Sequence, residues 1–165
     1  MRIIQTLFTV CLAASAAFSI TVEEAYQAIP HHRTVFQAAE AAMPAGESAY
    51  LTQLFTAVDQ AIVAKVQAGR GESVESSYAP VWAAWGRLKA PAKLQKIQDL
   101  FRRAIENEQA SLSDSQGRVN AADARTHEAS QALQEAYSEL MRLYPAENQN
   151  NRQAFFDYPC ALDFF

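Results

Sequence analysis

The residues of this chain best suited to chemistry are few, and they lie far apart. His31-His32-Arg33 places two imidazoles and a guanidinium side by side. Neutral imidazole is a common transition-metal ligand, so His31 and His32 are the candidate metal ligands, with Asp, Glu or Cys160 completing a site. Adjacent side chains seldom point to one centre, and no His-x-x-x-His, Cys-x-x-Cys or Glu-x-x-His spacing supports them. The alternative is a loop whose imidazoles and Arg33 hydrogen-bond helix ends. His127 has Ser130 and Gln131 as its helical neighbours, which puts it on a polar face. A haem site would need one of these histidines opposite Met43 or Met141, and Cys-x-x-Cys-His is absent, so no cofactor is expected.

Catalytic patterns are equally thin. Cys160 could act as a nucleophile only with a distant His, and it sits in an apolar run that would raise its pKa and make it inert. There is no Gly-x-Ser-x-Gly elbow, no Ser-x-x-Lys and no phosphate-binding glycine loop. Glu23-Glu24, Glu106 and Glu108 read as surface carboxylates of helices. The chain is expected not to be an enzyme.

Two aromatic groups fit binding better. Tyr78, Trp82 and Trp85 stand at helical spacing, as core or as the lining of a ligand slot. The last eleven residues hold five Phe or Tyr and only two charges, Asp157 and Asp163. So aromatic a segment is rarely left in water. Either Phe155, Tyr158, Leu162 and one of Phe164 or Phe165 close the open side of the fold, or Tyr158, Cys160, Phe164 and Phe165 contact a partner. Capture of a C-terminal carboxylate in a sheet-edge groove is one mode of that contact.

These groups must be carried by helices. Without its first nineteen residues the chain has 28 Ala against 18 Val, Ile and Thr together, a balance that favours helix over strand. Thr21 and Glu24 form a capping-box pattern before a short helix, about Val22 to Ile29, stopped by Pro30. A weak helical turn near Gln37 to Ala42 is broken by Pro44 and Gly46. Three- and four-residue apolar spacings then predict helices over about Ser48 to Ala68, Pro80 to Leu88, Ala92 to Leu112 and Val119 to Leu143. Ser113 to Gly117 suits a hairpin turn, although the helix could continue through Gly117. Glu147 to Gln153 reads as a polar linker. The expected fold is all-α: a small antiparallel bundle of four to five helices with the aromatic tail packed on it.

Residues 1–19 have the layout of a secretory signal peptide, with Arg2, an apolar stretch from Ile3 to Phe18, and Ala17 and Ser19 at the exit. Val10 before Cys11 argues against lipid attachment there. The expected division is a leader over 1–19, a bundle over 20–153 and a tail over 154–165. The protein is expected to be exported, to a bacterial periplasm or the medium, with no membrane span after the leader is removed. Cys160 is then the lone thiol, either buried or linking two chains through a disulfide. The formal net charge of −4 becomes −5 without Arg2, which argues against a nucleic-acid partner. The reading that follows is a non-enzymatic exported protein that binds another protein. The alternative is a small-ligand or metal carrier using the His31/His32 loop or the Trp82/Trp85 region.

Overall fold

A computed structural model describes residues 20–29, 31–115 and 119–163. Residues 1–19, Pro30, residues 116–118 at the end of the turn expected over Ser113 to Gly117, Phe164 and Phe165 lie outside the described residues. Among those described, the chain is all-helical. Its helices are α1 (Val22–Ala28), α2 (Ala45–Gly69), α3 (Val74–Trp85), α4 (Gln95–Ser115), α5 (Val119–Leu143) and α6 (Gln149–Asp163). Short 3-10 turns at Ala38–Glu40 and Ala92–Leu94 complete the regular structure. Six helices thus replace the expected four to five, and the extra one is the tail.

α2 is the central element, packed against α1, α3, α4 and α6. Every residue from Ala57 to Val66 except Gln60 is buried, as befits a helix with neighbours on all sides. α4 and α5 form a long hairpin whose apolar stripes, Ile97-Phe101-Ile105 (continuing Leu94 of the preceding 3-10 turn) and Leu133-Ala136-Leu140, face the core. Phe55 of α2 is the junction of the interior. Its ring stacks on Tyr158 with centroids 4.3 Å apart and lies 5.6–6.3 Å from those of Phe36, Phe101 and Phe155. Aromatic pairs at these separations add attraction beyond the area they bury.

The helix ends follow local rules. The capping box at α1 forms in full: Glu24 N donates to Thr21 Oγ1 at 3.2 Å and Thr21 N donates to Glu24 Oε2 at 2.7 Å. α2 begins at Ala45, with Pro44 as its cap, rather than at Ser48. Pro44 and Gly46 are harmless there, because N–H groups of a first turn have no intrahelical acceptor. α3 begins six residues before Pro80, with Ser73 Oγ accepting from Ser76 N. Pro80 is tolerated inside it on an exposed face.

The largest departure is α6. The expected linker at 147–153 supplies its cap and first turn: Asn148 Oδ1 accepts from Asn151 N at 2.9 Å, a favoured use of Asn. Helix then runs through to Asp163 with Pro159 in its interior. Its buried residues include Asn151, Ala154, Phe155, Tyr158 and Leu162 at a three- and four-residue rhythm, with Asp157, Pro159 and Ala161 buried beside them.

Candidate functional site

Two polar attachments hold α6 against the bundle, one at each end, and fix which of its faces is left outside. At its start, Asn151, fully buried, grips the extended segment that follows α1. Its Oδ1 accepts from Gln37 N at 2.8 Å, and its Nδ2 donates to Gln37 O at 3.2 Å and Glu147 Oε1 at 3.0 Å. Glu147 accepts from Ala42 N, while Asn148 and Asn150 donate to the carbonyls of Glu40 and Val35. Segment 35–42 is thereby strapped across the head of α6.

At its other end, Lys65 Nζ of α2 donates to Leu162 O at 2.6 Å and pairs with Glu108 of α4 at 2.7 Å. Both side chains are almost wholly buried. Burial holds the Lys65 ammonium below its usual pKa and lifts the Glu108 carboxyl above its own, so desolvation outweighs their attraction on both sides. Glu108 is therefore an interior residue, not the surface carboxylate that the sequence suggests. It follows Phe101, Ala104 and Ile105 on their stripe, and only a cation from a neighbouring helix makes that position tolerable.

Between these ends, beside Tyr158 of α6, a polar cluster joins α1, the segment after it and α2. Arg33 donates to Asp59 through Nε at 3.2 Å and Nη2 at 2.5 Å, and Tyr26 OH donates to Asp59 Oδ1 at 3.1 Å. Burial raises the Asp59 carboxyl above the ordinary range, against the pull of Arg33 and Tyr26. Burial also pushes Tyr158 up to about 12. Its hydroxyl stays protonated.

With α6 held this way, its opposite face looks outward beside α5. Phe156 is 44% exposed, the one aromatic so exposed among the described residues. Its ring meets the edge of Tyr137 of α5, with centroids 5.6 Å apart and planes at 77°. On one side of this pair a slot of about 80 Å³ is lined by Leu133, Tyr137, Pro159, Cys160 and Asp163. On the other an open cleft of about 580 Å³ runs past Met141 to Gln149, Arg152 and Gln153. The slot is mostly apolar, and the cleft is mostly polar.

The structure scatters the candidates drawn from sequence. His31 is partly buried, with Nε2 3.8 Å from Asp157 Oδ1, whereas His32 is exposed. No group of three or more His, Cys, Asp or Glu side chains among the described residues is arranged to hold a metal ion. Tyr78 and Trp85 are core residues, and Trp82 Nε1 donates to Gln109 Oε1 of α4 at 2.8 Å, so these rings join α3 to its neighbours. Tyr158 is interior, stacked on Phe55, and does not reach the outward face.

Cys160 does reach it, half-buried at the slot wall. Burial, then the carboxylates of Asp157 and Asp163, raise its thiol pKa. Less thiolate at neutral pH means slower attack. Alkylation of Cys160 by iodoacetamide, followed by peptide mass, is expected to lag behind a free cysteine at pH 7.5 and to catch up only at higher pH. Equal rates at neutral pH would show that the thiol is not shielded. The residues missed in sequence are Phe156, Tyr137 and Arg152. For Phe156 and Arg152 the signal was the face of α6 turned away from Phe155 and Tyr158, visible once the tail is drawn as a helix; Tyr137, on α5, is marked only by its contact with Phe156.

These features define a class: among the described residues, an all-α bundle of six helices whose last helix is clamped at both ends and offers an aromatic outer face. No protein-family model matches the chain, and no significant similarity to a curated protein or a solved structure is found. Among the described residues no helix is long and apolar enough to cross a membrane.

Proposed function

We propose that this is a non-enzymatic, exported helical protein that binds another protein through the α5/α6 face. One observation carries the reading: Phe156 stands exposed against Tyr137, between an apolar slot and a polar cleft, on a helix whose inner face is already filled with aromatics. Protein-binding sites combine an aromatic anchor with a nearby apolar recess and a polar rim. Export rests on the leader-like pattern of residues 1–19. Catalysis is disfavoured because the perturbed polar groups engage one another: Asp59 is held by Arg33 and Tyr26, and Lys65 by Glu108.

The test places a photo-crosslinking benzoylphenylalanine at position 156 in the producing cells, with position 106 on exposed α4 as control. A discrete adduct at 156, absent at 106, is the expected result. Adducts at neither position, or equally at both, would overturn the reading. Phe156→Ser should change stability by no more than about 1 kcal/mol, as for other substitutions outside the core. A large loss of stability would mean that Phe156 serves the fold rather than a partner.

A further inference from the structure

The outward face of α6 carries a charge pattern that fits its own copy. Arg152 is exposed and forms no ion pair among the described residues. It sits one turn before Phe156, at the cleft. Asp163 lies one turn after Cys160 and Pro159, at the far end of the slot, with one oxygen accepting from Ser130 Oγ at 2.9 Å. The face therefore reads, from its start, cation, exposed ring, apolar recess, anion. The two charges are eleven residues apart, about 16 Å along a helix.

We propose that the partner of this face is a second copy of the chain, with the two α6 helices antiparallel about a two-fold axis; this rests on the α5/α6 face being a protein-binding surface. Reversing one copy over the other puts its Phe156 above the recess at Pro159 and Cys160. The same reversal carries its Arg152 to Asp163, because four residues separate 152 from 156 and three or four separate 159 and 160 from 163. Symmetry then makes every contact twice, as a self-complementary interface requires. Two rings fill two recesses at the centre, and two Arg152–Asp163 pairs close the rim. The overall negative charge opposes association of two copies in general, so a local pairing of opposite charges selects this face. In this register Cys160 lies opposite Phe156 and not opposite its own equivalent, so the dimer needs no disulfide.

Sedimentation equilibrium of the purified chain over a concentration series, under reducing conditions, provides the test. A reversible dimer is expected, weakened roughly tenfold or more by Arg152→Asp and by Phe156→Ser. Combining Arg152→Asp with Asp163→Arg should restore it, since the pair is rebuilt with its signs exchanged. Should Asp163→Arg disturb folding, checked by circular dichroism, Arg152→Lys replaces it as the retained-charge control and should keep most of the dimer. Cys160 alkylation should slow as the protein is concentrated, because Phe156 of the second copy covers it. A monomer throughout the series would overturn the proposal, as would a dimer indifferent to Phe156→Ser and Arg152→Asp. An adduct of position 156 with a different protein would in that case leave the binding reading standing. Loss of both the dimer and the adduct would remove both.

Discussion

Replacing Lys65 with Met is expected to destabilise the protein by about 3–5 kcal/mol at neutral pH, the range for breaking a buried ion pair from one side. Lys65 and Glu108 are both almost wholly buried, and Glu108 Oε1 has no hydrogen-bond partner among the described residues. Without the ammonium the carboxylate has no cation beside it and must be protonated or hydrated. The sign of the pH dependence follows. Burial already raises the Glu108 pKa, and removing Lys65, which lowers it, raises it further. A carboxyl raised on folding contributes stability that is fully present below its unfolded pKa, about 4.3, and lost as pH rises through the folded value. The deficit of Lys65→Met should therefore shrink on acidification toward that unfolded value, as read by urea unfolding at a series of pH values. Adding Glu108→Leu should recover most of it at neutral pH, since an apolar pair of similar volume is often as stable as an ionic one. A double variant no better than the single would mean that the loss arises at Leu162 O, whose donor Lys65 also is. Hydrogen exchange at the end of α6 separates the two contributions.

This pair shows where sequence reasoning stopped. The helices α1, α2, α4 and α5 were legible because their apolar residues recur every three or four positions around capping and breaking residues: Thr21 with Glu24, Leu51-Leu54-Phe55-Val58, Ile97-Phe101-Ile105. The aromatic tail was legible as something that covers the core, and Phe155, Tyr158 and Leu162 do so. Its helical form was obscured by Asn148 to Gln153, a polar run that resembles a loop until its amides are seen capping α6 and gripping segment 35–42. Those acceptors and donors are backbone atoms over a hundred residues away, which no local pattern reveals. Lys65 and Glu108 were obscured for the same reason: each lies on an apolar stripe that would ordinarily exclude it, and each is permitted by the other. The candidate site followed from the misread tail. With residues 154–165 drawn as irregular chain, Tyr158 and Cys160 are equivalent aromatic-rich positions; on a helix, Tyr158 turns inward and Phe156 outward.

Asn151→Ala should cost at least about 3 kcal/mol, from its three shortest side-chain hydrogen bonds at roughly 1 kcal/mol each, with a further penalty for whichever partner stays dry. The partners are Gln37 N, Gln37 O and Glu147 Oε1. They are two backbone groups of the strap and the carboxylate that accepts from Ala42 N. The damage should spread in one direction. Phe36, next to Gln37, stacks on Phe155 with centroids 5.9 Å apart and also touches Phe55, so a loosened strap withdraws a ring from the junction of α2 and α6. Amide exchange at Gln37 and Ala42 should rise first and exchange within α6 next, while the α4/α5 hairpin keeps its protection. Asn151→Asp offers a sharper comparison. It keeps an acceptor for Gln37 N, but it removes the donor to Gln37 O and sets a second carboxylate beside Glu147. It should thus be at least as damaging as Ala, and should recover on acidification, when a protonated Asp can donate again. If Asp were harmless at neutral pH, the Gln37 N contact alone would hold the strap. Unchanged exchange at Gln37 and Ala42 in Asn151→Ala would instead assign that role to the Phe36 ring, and would leave the start of α6 positioned by its aromatic face.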